Sequence, residues 1–154
     1  MDERDQKALD DIQNHGCHVL KVMEGDDQPC FTYTIGINKI QGKPDVIILG
    51  LKTELAHSIL NHYKDRLLAG EHFKPGKFYS DFIENFDICF VTVAKKHFKE
   101  YFGWGLWLHD GYDFEMLQMV WPTTTGLWPW DDGKSDYYCW AQPILNESGA
   151  VDRV

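Results

Sequence analysis

The residues of this chain whose types could do chemistry gather late in the sequence, and most of them are aromatic. Trp121, Trp128, Trp130 and Asp131 lie close together around two Trp-Pro pairs, Trp121-Pro122 and Trp128-Pro129. His18, Tyr33 and Gln118 stand elsewhere, each inside a strand-like run. A concave site walled by Trp121, Trp128, Trp130 and Tyr33, with His18 and Gln118 as its polar groups, has the usual form of a small-ligand pocket. Asp131 would add a carboxylate beside the indoles. If the same rings stay open on the surface, they form a protein-binding face instead. A third outcome is structural. Prolines restrict the backbone, and indoles need apolar cover and partners for their N–H groups, so the segment can be a stiff flap that closes the core.

Other constellations are weaker. Gly103-Trp104-Gly105 lacks the lysine and the strand–loop–helix setting of a phosphate loop. His15 and His18 straddle Gly16, and His57 and His62 are out of phase on a helix. With His109-Asp110 they make no metal-binding pattern, and no metal site is expected. The four cysteines, Cys17, Cys30, Cys89 and Cys139, contain no C-x-x-C and read as free thiols. A Cys–His nucleophile pair would need geometry that spacing does not give. The adjacent acids at Asp26-Asp27 and Asp131-Asp132 read as solvated turns. No catalytic signature and no cofactor fingerprint emerges, so enzymatic activity is left open.

Composition bounds the partners. The chain has 154 residues and a net charge of −9, with 44% hydrophobic, 25% charged and 14% aromatic residues. One globular domain over 1–154 is expected, large enough to fold without a staple. The charge speaks against nucleic acid and gives no pull towards anionic membranes. No apolar run reaches the length of a membrane span, and the acidic start is unlike a signal peptide, so a cytoplasmic location is expected. A protein partner, if there is one, should be neutral or basic.

Several elements must position these residues. Ala8, Leu9 and Ile12 predict a short N-terminal helix ending near Gly16. Residues 17–22 read as a strand. Phe31, Tyr33, Ile35 and Ile37 alternate with Thr32, Thr34 and Gly36, which predicts a half-buried strand. Val46 to Leu51 is apolar throughout, so it predicts a strand covered on both faces. Leu55, Ile59, Tyr63 and Leu67 recur at helical spacing and predict a long helix over about 53–69, with Thr53 as its N-cap. Ile88 to Val93 and Phe114 to Trp121 predict two more strands. Lys95 to Tyr101 is weakly helical, with Gly103 and Gly105 disrupting its continuation. After Pro122 the chain reads as an irregular aromatic wrap. The class is α+β: a mixed or mainly antiparallel sheet of about five strands, with the long helix packed on one face.

The order of these motifs resembles a known family. Gly16-x-His18-Val19 comes first, then Phe31-Thr32-Tyr33-Thr34-Ile35-Gly36-Ile37, then Pro44-Asp45-Val46-Ile47-Ile48-Leu49-Gly50-Leu51. Later come Leu117-Gln118-Met119-Val120-Trp121-Pro122, Pro129-Trp130-Asp131 and Gln142-Pro143-Ile144-Leu145. Over about residues 15–145 the set resembles the bacterial domain of unknown function DUF4262. Thr123 stands where the family often has an acid after Trp-Pro, Cys17 where it often has an aromatic, and Pro44-Asp45 where it usually has Pro-Glu. The resemblance implies a compact bacterial domain and brings no established reaction, cofactor or catalytic residue. The expectation is a protein-binding module, with an immunity or inhibitor protein as its narrower form. The alternative is an enzyme or small-ligand binder with an aromatic-walled pocket.

Overall fold

The computed structural model describes residues 2–147. Six strands form one sheet: β1 (His18–Val22), β2 (Phe31–Ile35), β3 (Asp45–Leu49), β4 (Phe78–Ile83), β5 (Phe86–Thr92) and β6 (Met116–Val120). Their order is β1-β2-β3-β6-β5-β4. Every neighbouring pair is antiparallel except β3 and β6, which run parallel at the centre. The helices are α1 (Glu3–His15), α2 (Ile37–Gln41), α3 (Thr53–Leu68), α4 (Phe98–Tyr101), α5 (Gly103–His109) and α6 (Asp136–Ala141). The α+β class and the mixed sheet agree with the sequence reading, with six strands where about five were expected.

Alternation along the strands sorts side chains onto two cores. Val46, Ile48, Ile88, Phe90, Leu117 and Met119 meet α3 through Ile59, Leu60, Tyr63 and Leu67. Phe31, Tyr33, Ile35, Ile47, Leu49 and Met116 meet α1, α4 and α5 on the opposite face. Helices therefore cover both faces, which corrects the half-buried reading of β2: all five of its residues are buried. Arg66, near the end of α3, chelates Glu71 at 2.6 and 2.9 Å, donates to the Ser80 carbonyl and lies over the Phe82 ring. It thereby fixes the helix against β4.

Four local expectations change. The strand ends at Ile35, because Gly36 takes φ +101° and turns the chain into α2. Lys52, not Thr53, is the N-cap of α3, and no side chain caps it. The glycines at 103 and 105 do not prevent a helix; the break falls at Phe102 (φ −119°, ψ 47°), and α5 begins directly after it. Gly105 is instead demanded by packing, since a Cβ there would lie 2.8 Å from the Phe114 ring. The aromatic wrap contains α6, whose Ser135 side chain caps the Tyr138 N–H in the ordinary way.

Candidate functional site

Three of the candidate residues are consumed by the fold. Gln118 is fully buried; its amide donates to the Pro143 carbonyl and accepts the Leu145 N–H, each at 2.9 Å. It stitches the segment after α6 onto β6. Trp121 points to the α3 face, and its indole N–H donates to the Leu49 carbonyl at 2.7 Å. Its backbone N–H donates to Gln142 Oε1, and its carbonyl accepts from Tyr138 and Gln142. Tyr33 is buried on the other face, edge-on to Phe102, with its hydroxyl accepting the Trp104 N–H at 3.4 Å. Burial pushes this phenol up to about 12. Tyr33 and Trp121 thus lie on opposite sides of the sheet and do not wall one pocket.

Trp128, Trp130 and Asp131 do come together. The two indoles stack parallel, with centroids 5.4 Å apart and planes 2° apart. Phe78, exposed on β4, stands edge-on to Trp128 at 5.0 Å. One side of this aromatic layer covers Cys89, Val91 and Val120, and the rings remain partly exposed. Asp131 shapes the turn: its carboxylate accepts the Trp128 N–H at 2.9 Å, and its own N–H donates to the Trp128 carbonyl. This reciprocal pair of bonds closes a tight turn over residues 128–131 and holds the two indoles in register.

Beside the rings runs an open groove of about 790 Å³, lined by the β4–β5 hairpin, Pro122, Gly126 and Trp128. The hairpin contributes the carboxylates of Asp81, Glu84 and Asp87, and among the described residues no Lys or Arg lines the groove. Asp81 has φ +69° where the β4–β5 register shifts, and Asn85 has φ +69° in the turn itself. Sequence reading passed over this hairpin. Its signal was Glu84-Asn85 between Phe82-Ile83 and the alternating Phe86-Asp87-Ile88, a two-residue turn with Asn in the left-handed position.

His18 sits at the far edge of the sheet, on β1. Its Nδ1 lies 2.7 Å from Asp11 Oδ2. His15 and His57 line the same pocket, so the bend at Gly16 brings together histidines that no single helix could. Cys17 beside them is buried, and burial pushes its thiol up to about 12, which disfavours the nucleophilic thiolate. The Cys30 thiol donates to the Leu51 carbonyl at 3.1 Å. Among the described residues no group of three His, Cys, Asp or Glu is placed to hold a metal ion. No helix among them is long and apolar enough to cross a membrane.

Fold and surface together define an α+β protein with helices on both sheet faces and an aromatic, acid-rimmed groove at one edge. The chain belongs to the DUF4262 family, a domain of unknown function, whose model matches residues 11–135. Neither a curated protein nor a solved structure matches it.

Proposed function

We propose that this chain is a protein-binding module that takes a basic segment of its partner on the Trp128–Trp130 face. The observation that carries the reading is the stacked indole pair beside a groove rimmed by Asp81, Glu84 and Asp87. Flat, rigid aromatic surface supplies contact area at low entropic cost, and indole faces attract cations. The carboxylates give the same site selectivity for a guanidinium or ammonium group, and the net charge of −9 steers a basic partner towards it. Inhibition of that partner, as an immunity protein performs it, is the narrower form of this reading. The small-ligand alternative gains less support, because Tyr33, Gln118 and Trp121 spend their polar atoms inside the fold.

The test is fluorescence anisotropy with a labelled arginine-rich peptide at physiological salt. Trp128→Ala leaves the charge unchanged and should weaken binding on the order of tenfold, as expected of an aromatic hot spot. Asp87→Asn should weaken it less, and Asp10→Asn, on the exposed side of α1, by less than about twofold. Equal effects from Asp87→Asn and Asp10→Asn, with none from Trp128→Ala, would reduce the interaction to net charge and overturn the proposal.

A further inference from the structure

At the opposite edge of the sheet a second pocket, of about 480 Å³, opens over β1 between α1 and α3. Strand β1 is one edge of the sheet and β4 the other, so about five inter-strand spacings of about 4.8 Å separate this pocket from the aromatic groove. The two sites are therefore independent, and neither reading rests on the other.

The pocket has more donors than its own carboxylates can occupy. From α1 come Lys7, Asp11 and His15, from β1 His18, and from α3 His57, Asn61, Lys64 and Asp65. Both carboxylates are already engaged. Asp11 Oδ2 lies 3.1 Å from Lys7 Nζ and 2.7 Å from His18 Nδ1, and Asp65 Oδ1 lies 3.6 Å from Lys64 Nζ. Among the described residues the side chains of His15, His57 and Asn61 have no hydrogen-bond partner. Asp11 holds the N–H of His18 at Nδ1, which leaves Nε2 as the second ring nitrogen. Two lysines balance two carboxylates while the histidines are neutral, and three further positive charges appear when the histidines protonate. Lys21 of β1 faces this group too: burial first, then Lys21 and His18, hold the His57 pKa below its ordinary value. In a chain of net charge −9, this concentration of cationic donors runs against the overall balance.

We propose that this pocket binds a small oxyanion, phosphate or a phosphate monoester, and binds it more tightly in mildly acid solution than at neutral pH. His15, His57 and Asn61 donate to the anion, Lys64 supplies a permanent charge, and Asp11 is a positioning residue that fixes the His18 ring. Charge-assisted hydrogen bonds to an oxyanion are the strong class, and protonation of each histidine adds one donor and one charge. By linkage, protonation of the pocket and binding of the anion favour each other.

Histidine ring NMR tests this on the full chain. Sulfate is titrated at about pH 6 and about pH 7.5 with ionic strength held by sodium chloride; it stays dianionic at both, so any change in affinity belongs to the protein. Saturable shifts are expected at His15, His18 and His57, with His62, His72, His97 and His109 unmoved. Sulfate should bind at least about fivefold tighter at the lower pH. His57→Gln and Lys64→Met should each weaken binding at least about fivefold without lowering the thermal midpoint, since Met keeps the stem that lies against Gly16. Phosphate and glycerol 3-phosphate are then compared: tighter binding of the ester assigns a monoester, and equal binding assigns the free ion. Uniform, unsaturated drift of all seven histidines, or affinity indifferent to pH and to both variants, overturns the proposal.

Discussion

Asp45 Oδ1 lies 2.7 Å from the Thr34 hydroxyl, and this pair joins β2 to β3 inside the protein, where both residues are almost fully buried. The hydroxyl donates to the carboxylate and accepts the Val46 N–H at 3.2 Å. The carboxylate also accepts the Ile37 and Asn38 N–H groups, at 3.0 and 3.1 Å. Asp45 therefore caps α2 from a neighbouring strand, because the helix's own N-cap is Gly36, which has no side chain to do so. A charged residue leading an apolar strand is explained by this role.

Stability should fall with rising pH through this group. Burial is the largest influence on Asp45 and pushes its pKa up to about 7, against an ordinary 3.8, with the donated hydrogen bonds pulling the other way. The folded state then holds the proton more tightly than the unfolded chain. The contribution is full below about pH 4 and is lost as pH rises towards 7, at most about 4 kcal/mol by linkage. His57 and His109 have lowered values and act in the opposite sense as pH falls through 6.5. The comparison with Asp45→Asn removes them. Urea melts from about pH 4 to 8 should show the wild-type advantage over Asn shrinking as pH rises. Parallel curves would show that Asp45 does not titrate in that window.

Gly50 should tolerate no side chain, whereas Gly42 should tolerate one at modest cost. Both have positive φ, +84° and +69°. Left-handed backbone costs an alanine about 1–2 kcal/mol at either position. At Gly42 no atom of the described residues lies within reach of a Cβ, but at Gly50 it would sit 2.5 Å from the Ala141 carbonyl oxygen. That backbone atom ends α6 and cannot swing aside. Gly50→Ala should therefore lose clearly more stability than Gly42→Ala. Equal losses would mean that α6 can move away from β3.

The parts of this architecture that rest on periodicity were legible in the sequence, and the parts that rest on turns were not. Ile59, Tyr63 and Leu67 announced α3, and the alternation of Leu117, Met119 and Trp121 with Gln118 and Val120 announced β6 and its two faces. In β4 the alternation is broken at Asp81, where a positive φ shifts the register, so the strand left no clear pattern. The Trp128–Trp130–Asp131 cluster was visible because it is local in sequence. That Tyr33 and Trp121 lie on opposite faces follows from strand pairing and register, which spacing does not encode. The Asp11–His18 pair likewise depends on the left-handed bend at Gly16, with φ +87°.

The four thiols should separate into reactivity classes. Cys139 is exposed and Cys30 half-buried, while Cys17 and Cys89 are buried, with thiols pushed up to about 12. Only the thiolate attacks a disulfide reagent. A native chain treated with an aromatic disulfide should release one equivalent quickly, and Cys139→Ser should abolish that phase. Burial also raises the Cys30 value, and its S–H is held by the Leu51 carbonyl, so it should react more slowly. Cys17 and Cys89 should react only through opening of the fold. A second fast equivalent would show that the bond to Leu51 does not protect Cys30, and a third or fourth that the buried thiols are reached by ready opening of the fold.

Gln118 should control whether the C-terminal segment stays on the sheet. Its amide answers the Pro143 carbonyl and the Leu145 N–H together, and Leu145 in turn accepts the Ala94 N–H at 2.8 Å. Gln118→Ala leaves the buried Leu145 N–H without its partner, at about 1–3 kcal/mol, and frees the part-buried Pro143 carbonyl at lower cost. The Leu145 amide and then the Ala94 amide should exchange with solvent faster than those of α3. Gln118→Glu separates hydrogen bonding from packing. An ionised carboxylate still accepts the Leu145 N–H but faces the Pro143 carbonyl with a second acceptor. The buried acid would have a raised pKa, so this variant should be most stable in acid and lose stability as pH rises. Hydrogen exchange at Leu145 across that range is the measurement. If the Glu variant exchanges at the wild-type rate at every pH, the amide is not what fastens the segment, and the apolar cover from Leu145 itself would have to do so.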